Sequence, residues 1–511
     1  MKKILTLALI SLTTITFVSC TNDVSSDSTS QETSSSEVQT IDLQKITLKQ
    51  VKQGMSQHVF PSLGEQQLIV VPVYFSDFSP ETLGINEEQS LKDIYNVFFG
   101  DSYNVTNSEH PTGYESVASY YKKSSYGKFT LTGTVTKYCD LGTTLLNHVQ
   151  TASHSDPITY LKDKVISWLK VEYPSLMANY DSDKDGYYDG LALVFPNNDY
   201  ESYGSGNACI SYYEEYYNTT LSPNMKDNLL TTLYAYTVTN TEASNVDNPT
   251  CPNYTWLSYN YLKSGNYKDK NGNLLVDGHI YIHEFGHLLG LSDYYSSDST
   301  TPVGKLDMMD QNIGDQNSFS KFELDWVKPT LVNEEGTYEL TSLEDGGSAL
   351  IIPSSSEYSY SPFDEYLILE LYTPTGLNEF DAKNKYGNYQ LIDKTFVKIY
   401  HVDARLGLVD TRTKTYKYIH EYPTTLNDYN YVTIAHSNTS TMLNKNNNLI
   451  NVVSKKNPST VLTNTFDYYK DGYSQGTTLT SFTFNDGNSL KYNIRIKKID
   501  DNKATISIYD K

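Results

Sequence analysis

The sequence predicts an α+β domain over residues 63–330, followed by an all-β, sandwich-like domain over residues 331–511. The first region mixes continuous apolar runs with amphipathic segments, a combination typical of strands and helices that share one core. After Pro329, short alternating segments are separated by turns rich in Gly, Asn, Asp and Ser. This spacing favours a β-sandwich for the second region.

Individual elements of both regions follow from their apolar patterns. Residues 68–75 and 191–195 are almost continuously apolar and predict buried strands, whereas residues 129–135 alternate as a half-buried strand does. Residues 116–124 and 158–171 carry apolar side chains at helical spacing and predict helices. In the second region, alternation predicts seven strands: 337–340, 349–352, 365–371, 396–401, 431–435, 492–499 and 504–509.

Residues 1–20 have the pattern of a bacterial lipoprotein signal peptide. Two lysines precede the apolar run 4–18, and Ser19-Cys20 closes it. A small residue before Cys20 predicts that this cysteine becomes the lipidated first residue; ordinary signal-peptidase cleavage, which gives a secreted protein, is the alternative. No other run is long enough to span a bilayer, so we expect an extracytoplasmic, cell-surface protein whose only membrane contact is its lipid anchor.

The next two segments are expected to lie outside the first domain. Residues 21–40 consist almost entirely of Ser, Thr, Asp, Glu, Gln and Asn, which predicts a flexible linker. Residues 41–62 are interpreted as a possible short pro-segment. Because this segment contains no cysteine, inhibition by a cysteine switch is excluded.

The chain is acidic, with 39 Lys and Arg against 61 Asp and Glu and a formal net charge of −22. This charge argues against nucleic acid as a partner. The acidic charge fits a solvated outer surface and metal sites built from acidic residues. Separately, we expect the protein to be a monomer.

Cysteine usage leaves the redox state open. The mature chain retains Cys139, Cys209 and Cys251 beyond the lipidated residue, so it permits at most one intrachain disulfide. Pairing of Cys209 with Cys251 is one possibility, because both lie in the loop-rich stretch before the helix discussed next. Three reduced, buried thiols are the other.

The most informative segment is HEFGHLLGLSD, residues 283–293. On a helix, His283 and His287 project from one face and suit two ligands of a tetrahedral Zn²⁺. Glu284 is turned to one side of that pair, where it can act as a base on water at the metal. Gly290 can end the helix and reverse the chain, which returns Asp293 toward the metal as a third ligand.

Two other residues near the motif are candidates for a role at or beside the metal. Glu323 is the alternative third ligand, as in proteases that place a glutamate downstream of the motif. His279 lies four residues before His283 and can face the same way on a helix. A structural role is the default interpretation for His279.

A second candidate metal site has the DxDxDG start of a calcium loop, in which alternate carboxylates surround a hard cation and Gly186 permits a sharp turn. The twelfth position holds Ala192 instead of the glutamate of an EF-hand, and a strand follows it. We therefore predict a structural Ca²⁺ loop outside an EF-hand; a solvated acidic turn is the alternative. The predicted ligands are the carboxylates of Asp181, Asp183, Asp185 and Asp189 and the carbonyl of Tyr187.

Beyond the zinc motif, the segment VGKLDMMD, residues 303–310, has a methionine where metzincins have a tight turn beneath the metal. Met309 is the preferred candidate and Met308 the alternative. With these motifs the chain resembles the immune inhibitor A-type metallopeptidases, a metzincin-like family of secreted bacterial proteases. Similar segments are LIVVPVYFSD at 68–77, SVASYYKKSSYG at 116–127, the acidic loop at 181–189, SKFELDW at 320–326, EYLILE at 365–370 and KIYHVDAR at 398–405.

The resemblance implies a metzincin-like catalytic domain with zinc-dependent endopeptidase activity on protein or peptide substrates. It implies His283, His287 and Asp293 as the Zn²⁺ ligands and Glu284 as the catalytic base. Better-known metzincins have a third histidine in place of Asp293; an acidic ligand is chemically sound and moderates the Lewis acidity of the metal.

Two functions other than a peptidase are compatible with parts of the sequence. A surface adhesin would use the tyrosine-rich surface, since the chain contains 46 tyrosines. A different zinc hydrolase would act on glycans or other amides. The intact Glu284 argues against the first, and the helix-borne motif with its following methionine argues against the second.

Overall fold

The computed structural model describes residues 46–54, 57–101, 112–154, 156–239, 242–410, 415–419, 432–435 and 447–511. The predicted signal peptide 1–20 with Cys20, the linker 21–40 and the first residues of the possible pro-segment lie outside this part. Within it, no helix has both the length and the apolar composition needed to cross a bilayer.

A mixed sheet forms the centre of the first region. Its strands are β1 (Gly64–Tyr74), β2 (Phe129–Val135), β3 (Cys139–Asp140), β4 (Leu191–Phe195), β5 (Tyr236–Thr239) and β6 (Asn253–Ser258). Their order is β2-β1-β4-β6-β5, with β3 beside β1. All neighbours run parallel except β5, which pairs antiparallel with β6 at the edge. The three strands predicted in this region are confirmed as β1, β2 and β4.

Helices cover both faces of this sheet. In chain order the helices are α1 (Leu48–Gly54), α2 (Glu87–Phe99), α3 (Val117–Ser124), α4 (Leu145–Thr151), α5 (Thr159–Glu172), α6 (Pro174–Met177), α7 (Gly206–Tyr216), α8 (Pro223–Thr232), α9 (His279–Leu288), α10 (Met308–Gln311) and α11 (Ser318–Glu323). Leu68 and Val70 of β1 pack in the cluster that contains α2, α3 and α9. Ile69 and Val71 pack in the cluster that contains α4, α5 and α8. Because both faces are covered there, residues 68–73 of β1 form a continuous apolar run. The two predicted helices are confirmed as α3 and α5.

The second region is built almost entirely from strands. They are β7 (Thr330–Leu331), β8 (Gly336–Thr341), β9 (Ala349–Pro353), β10 (Glu365–Tyr372), β11 (Phe396–Asp403), β12 (Leu406–Asp410), β13 (Thr415–Tyr418), β14 (Val432–Thr433), β15 (Ile450–Val452), β16 (Thr478–Leu479), β17 (Tyr492–Ile499) and β18 (Lys503–Asp510), with the short helices α12 (Asn378–Lys383) and α13 (Tyr468–Asp471) between them. The sheets are β15-β11-β10-β9-β7, β13-β12-β14 and β16-β17-β18-β8. Six of the seven predicted strands are confirmed over their length, and the described residues 432–435 of the seventh form a strand at β14.

The five-stranded sheet of the second region is buried on both faces. Leu367 and Leu369 of β10 share a core with Ile494 of the four-stranded sheet, as a sandwich requires. Ile368 of the same strand belongs to the cluster that contains Phe285 of α9. The two regions therefore share one core, and the predicted boundary between residues 330 and 331 falls inside β7.

The three described cysteines are free, buried thiols, so a Cys209–Cys251 disulfide is not formed. Cys209 lies on α7, whereas the Cys251 thiol donates to the Asn253 carbonyl at 3.4 Å. Burial raises the pKa of Cys139, Cys209 and Cys251 to about 12, which keeps each one protonated. Proximity in the sequence was a poor guide to pairing here, because each thiol has its own place in the core.

Candidate metal centre

The zinc motif lies on α9 and on the turn that ends it. Gly290 has φ +99°, its N–H donates to His287 O, and the N–H of Leu291 donates to Gly286 O. These two bonds form the Schellman arrangement that ends helices at a left-handed glycine. The chain therefore reverses at Gly290, as the sequence predicts, and brings Asp293 back over the helix.

Three potential ligand atoms, from His283, His287 and Asp293, face one point and form a triangle, called the metal triangle below. His283 Nε2 lies 3.2 Å from His287 Nε2 and 3.0 Å from Asp293 Oδ1, and His287 Nε2 lies 3.1 Å from that oxygen. Bonds of about 2.0 Å at tetrahedral angles would separate such atoms by roughly 3.3 Å. The triangle is therefore close to the size that a single Zn²⁺ requires.

Backbone carbonyls fix the orientation of both imidazoles. His283 Nδ1 lies 2.8 Å from Met308 O, and His287 Nδ1 lies 2.9 Å from Leu291 O. Each Nδ1 donates to its carbonyl, which leaves both Nε2 lone pairs directed at the common point. Two imidazole nitrogens and a carboxylate that face one point form a donor set that fits Zn²⁺, which would take the place of a proton shared between His287 and Asp293.

The pKa shifts of Asp293 and His287 show that the triangle favours positive charge next to the carboxylate. Burial opposes ionisation of Asp293, but His287 and His283 outweigh it and hold its pKa well below the usual range. Burial also opposes the charged form of His287, whereas Asp293 raises the pKa of that imidazole to about 9. The carboxylate is thus ionised and stabilises positive charge at this point.

Met309 lies directly against α9. A Cβ placed at Gly286 would lie 2.6 Å from Met309 Sδ, so glycine at this position makes room for the thioether. Met308 instead supplies the carbonyl that holds His283, and Met309 O accepts from Tyr294 N at 2.7 Å. Of the two candidates, Met309 therefore has its side chain beneath the motif.

Glu284 is held by the edge strand β5. Thr237 Oγ1 lies 2.7 Å from Glu284 Oε2 and 2.9 Å from Glu284 O. The carboxylate is largely buried beside the metal triangle, with 6% of the residue exposed. Sequence analysis missed Thr237, because it lies 47 residues before Glu284 and meets it only through the pairing of β5 with β6.

Glu323 does not join the metal triangle among the described residues. Its buried carboxyl faces Lys52, and burial, which exceeds the opposing effect of Lys52, raises the pKa of Glu323 to about 8. The structure therefore brings Asp293, and not Glu323, to the two histidines.

His279 is fully buried away from the metal triangle. Its Nδ1 lies 2.6 Å from Asp277 Oδ1, and its Nε2 lies 3.2 Å from Asp381 Oδ1 on α12. The ring is stacked between Tyr114, at 4.1 Å, and Tyr386, at 4.2 Å. Burial opposes its charge, but the two carboxylates raise the pKa of His279 to about 9. His279 thus links the start of α9 to the second region, in agreement with a structural role.

The acidic loop gathers three of its four predicted carboxylates. Asp181, Asp183 and Asp185 each offer an oxygen within 4.8 Å of the others. Asp189 is not part of this group: it is buried, hydrogen-bonds to Ser182, and burial raises its pKa. Tyr187, the other predicted ligand, forms a parallel bridge with Thr250. The loop geometry therefore supports a three-carboxylate cluster without Asp189.

Two side chains from the possible pro-segment, one of them a lysine, already face this loop. Lys49 Nζ lies against Asp183 and lies 3.3 Å from Asp185 Oδ2, while His58 Nε2 lies 3.2 Å from the same oxygen. Burial opposes ionisation of Asp185, but His58 and Lys49 lower its pKa to about 2. Part of the charge that Ca²⁺ would neutralise is thus neutralised within the protein.

The segment 46–62 packs as part of the domain. Phe60 N donates to Leu288 O at 2.6 Å, at the end of the zinc helix. A Cβ placed at Gly290 would lie 3.0 Å from Val59 Cγ1 and 3.2 Å from Leu48 Cδ2, so both side chains lie on the turn. Lys52 Nζ also reaches Ser292 Oγ at 3.4 Å. The described part of the segment therefore supports the turn that carries Asp293.

No protein-family model matches the chain, and a search of curated proteins found no match.

Proposed function

We propose that the protein is an extracellular, metzincin-like zinc endopeptidase. The observation that carries this proposal is the triangle of His283, His287 and Asp293 with the Glu284 carboxylate beside it. Both imidazoles present Nε2 toward one point, and the third donor is an ionised carboxylate. Glu284 and the underlying Met309 complete the set of groups that a metal-assisted peptidase uses.

Each residue then has a defined task in hydrolysis. Zn²⁺, when bound by His283, His287 and Asp293, supplies Lewis acidity to water and to the scissile carbonyl. Glu284 accepts a proton from the attacking water as the new C–O bond forms. It then delivers this proton to the amine nitrogen as the C–N bond breaks.

The edge strand β5 provides a place for an extended peptide. Among the described strands, β5 ends the sheet, and its outer edge has no partner strand. A peptide can add to such an edge through backbone hydrogen bonds. Thr237 on the same strand holds Glu284, so a peptide paired there would lie beside the base.

The remaining sequence interpretations complete the proposal. The signal peptide and Cys20 support a lipid-anchored position at the cell surface, with secretion as the alternative. The cluster of Asp181, Asp183 and Asp185 supports one structural Ca²⁺.

A casein or gelatin zymogram of the zinc-loaded protein tests the proposal. The wild-type chain is expected to clear the gel, and Glu284→Ala is expected to abolish clearing while zinc content stays unchanged. Activity that survives Glu284→Ala would reject the mechanism. A zinc-loaded wild-type protein that cleaves neither protein nor peptide would favour the adhesin or another hydrolase.

A further inference from the structure

A row of tyrosines leads from the metal triangle to Glu201. Tyr295 follows the ligand Asp293 by two residues and is 37% exposed, while Tyr234 is 45% exposed. The ring of Tyr234 stacks on that of Tyr200, with centroids 5.3 Å apart and planes 25° apart. Tyr200 Oη donates in turn to Glu201 Oε1 at 3.3 Å.

The fold places this row beside the base. Tyr234 lies three residues before Thr237, whose hydroxyl touches Glu284. Tyr200 N donates to Leu233 O at 3.4 Å, which joins the segment after β4 to the segment before β5. Burial and the charges of Glu284, Glu201 and Asp293 raise the pKa of Tyr234 to about 12, so its phenol lies within electrostatic reach of all three carboxylates.

Glu201 lies at the surface, and no lysine or arginine among the described residues acts on its carboxylate. Partial desolvation by its neighbours and the negative charge of Asp199 raise its pKa, against the opposing effect of the hydrogen bond from Tyr200. Glu214 on the nearby helix α7 differs, since Lys226 Nζ lies 2.9 Å from its Oε1. An unpaired carboxylate next to stacked aromatic rings has the chemistry that recognises an organic cation.

We propose that Tyr200, Glu201 and Tyr234 form a subsite for a lysine or arginine side chain of the substrate peptide. The aliphatic stem of such a side chain would lie along the rings, and its charged end would reach Glu201. A neutral sugar could stack on the rings but would leave Glu201 without a counter-charge. The net charge of −22 also favours the approach of cationic peptides. This inference rests on the proposed peptidase function.

Matched peptides test the subsite on the zinc-loaded mature protein. The peptides are identical except that lysine, norleucine or glutamate occupies one position, which is moved along the sequence on either side of the cleaved bond. At one position we expect lysine to exceed norleucine in kcat/KM by roughly fivefold to tenfold, the combined effect of one cation–π contact and one exposed ion pair. Glu201→Gln and Tyr234→Ala are each expected to lower this ratio to roughly twofold to threefold, because each variant removes one of the two contacts.

Two control variants separate the subsite from general effects of charge and aromatic content. Glu215→Gln removes the same charge from an exposed position on α7, and Tyr469→Ala removes an exposed ring in the second region. Both are expected to keep the lysine preference of the wild type. An equal loss of preference in Glu215→Gln would show that overall charge, and not the subsite, selects the peptide, and would overturn the proposal.

Binding to the Glu284→Gln protein gives a readout that does not depend on turnover. Titration with the lysine and norleucine peptides should give a lower Kd for lysine, and Glu201→Gln in the same background should reduce the difference by the contribution of the ion pair. Equal Kd and equal kcat/KM for the two peptides would overturn the subsite while the peptidase function stands. If the lysine peptide binds preferentially but the zinc-loaded wild-type protein cleaves no peptide, the subsite is supported and the peptidase function is rejected.

Discussion

Thr237 Oγ1 lies 2.7 Å from Glu284 Oε2, so a residue of the edge strand holds the carboxylate of the proposed base. The Thr237 hydroxyl can donate only one proton. Among the described residues, the only other acceptor that it contacts is the backbone carbonyl of Glu284, at 2.9 Å. The shorter contact is to the carboxylate. Donation to Oε2 leaves Oε1 as the oxygen that can receive a proton from water. The strand whose free edge we propose as the peptide site therefore also orients the carboxylate of Glu284.

Replacing Thr237 by valine removes this hydrogen bond and keeps the shape of the side chain. We expect kcat to fall by roughly tenfold or more, because a hydrogen bond to a charged group contributes about 1.5–3 kcal/mol. KM should change by less than about twofold, since the bond orients the base and not the substrate. Thr237→Ser should recover most of kcat, and zinc content should be equal in all three proteins. A valine variant with unchanged kcat would exclude an orienting role.

Asp293→Ala should remove zinc from the protein. Loss of a direct ligand is expected to weaken zinc binding more than loss of an outer partner does, which costs about 10–100-fold. Glu323→Gln is the matched control, because the Glu323 carboxyl faces Lys52 and not the histidines. Metal analysis after dialysis gives the answer. One zinc per chain in Asp293→Ala, or loss of zinc in Glu323→Gln, would reject the triangle as the metal site.

Stability of the zinc-loaded protein should fall at alkaline pH because of His279. Its pKa in the folded protein is about 9, against 6.5 for a free imidazole. The stabilisation is therefore complete below about pH 6.5 and is lost as the pH rises through about 9, with a size on the order of 3 kcal/mol. Melting temperatures between these pH values measure it. His279→Gln, which cannot titrate, should show a flatter profile, and an equally steep profile in that variant would assign the effect to other groups.

Calcium should stabilise the folded chain through the acidic loop. Free Ca²⁺ at a hundred times its Kd would add about 2.7 kcal/mol, which is several degrees in melting temperature. Asp183→Asn should abolish the rise. Lys49→Met should lower the melting temperature without calcium and enlarge the rise, because Lys49 neutralises the same carboxylates. A calcium effect that persists in Asp183→Asn would place the ion elsewhere.

Truncation distinguishes a removable pro-segment from a structural one. A chain that begins at residue 46 should fold like the longer protein, whereas a chain that begins at residue 63 should be strongly destabilised. The shorter chain lacks Val51, Val59 and Phe60, which are fully buried and contribute about 1.5–3 kcal/mol each. It also lacks Ser62, whose carbonyl accepts from Trp326 Nε1 at 2.9 Å. Equal melting temperatures for the two chains would show that the segment is dispensable.

The sequence predicted the parts of the site that depend on local periodicity. The four-residue spacing of His283 and His287 places them on one helical face, and the left-handed turn at Gly290 brings Asp293 back to them. The apolar runs of β1 and β4 likewise predict strands covered on both faces. These features are set by residues close to one another in the chain.

Contacts between distant segments could not be predicted in this way. Thr237 meets Glu284 only because β5 pairs with β6 beside α9. Lys49 faces the acidic loop across more than a hundred residues, so the loop looked uncompensated in the sequence. Asp189 has the spacing of a ligand, but its carboxyl is directed to Ser182. In each case tertiary packing decides a contact that spacing leaves open.

The sheet formed by β15, β11, β10, β9 and β7 makes the two halves of the molecule interdependent. One face belongs to the sandwich, and the other packs on α11 in the core that also contains α9. Separate expression of residues 331–511 would expose Tyr366, Ile368 and Tyr400 to water, and such an apolar face promotes association between chains. The C-terminal half is therefore no exchangeable module, because replacing it would also remove one wall of the core in which α9 packs.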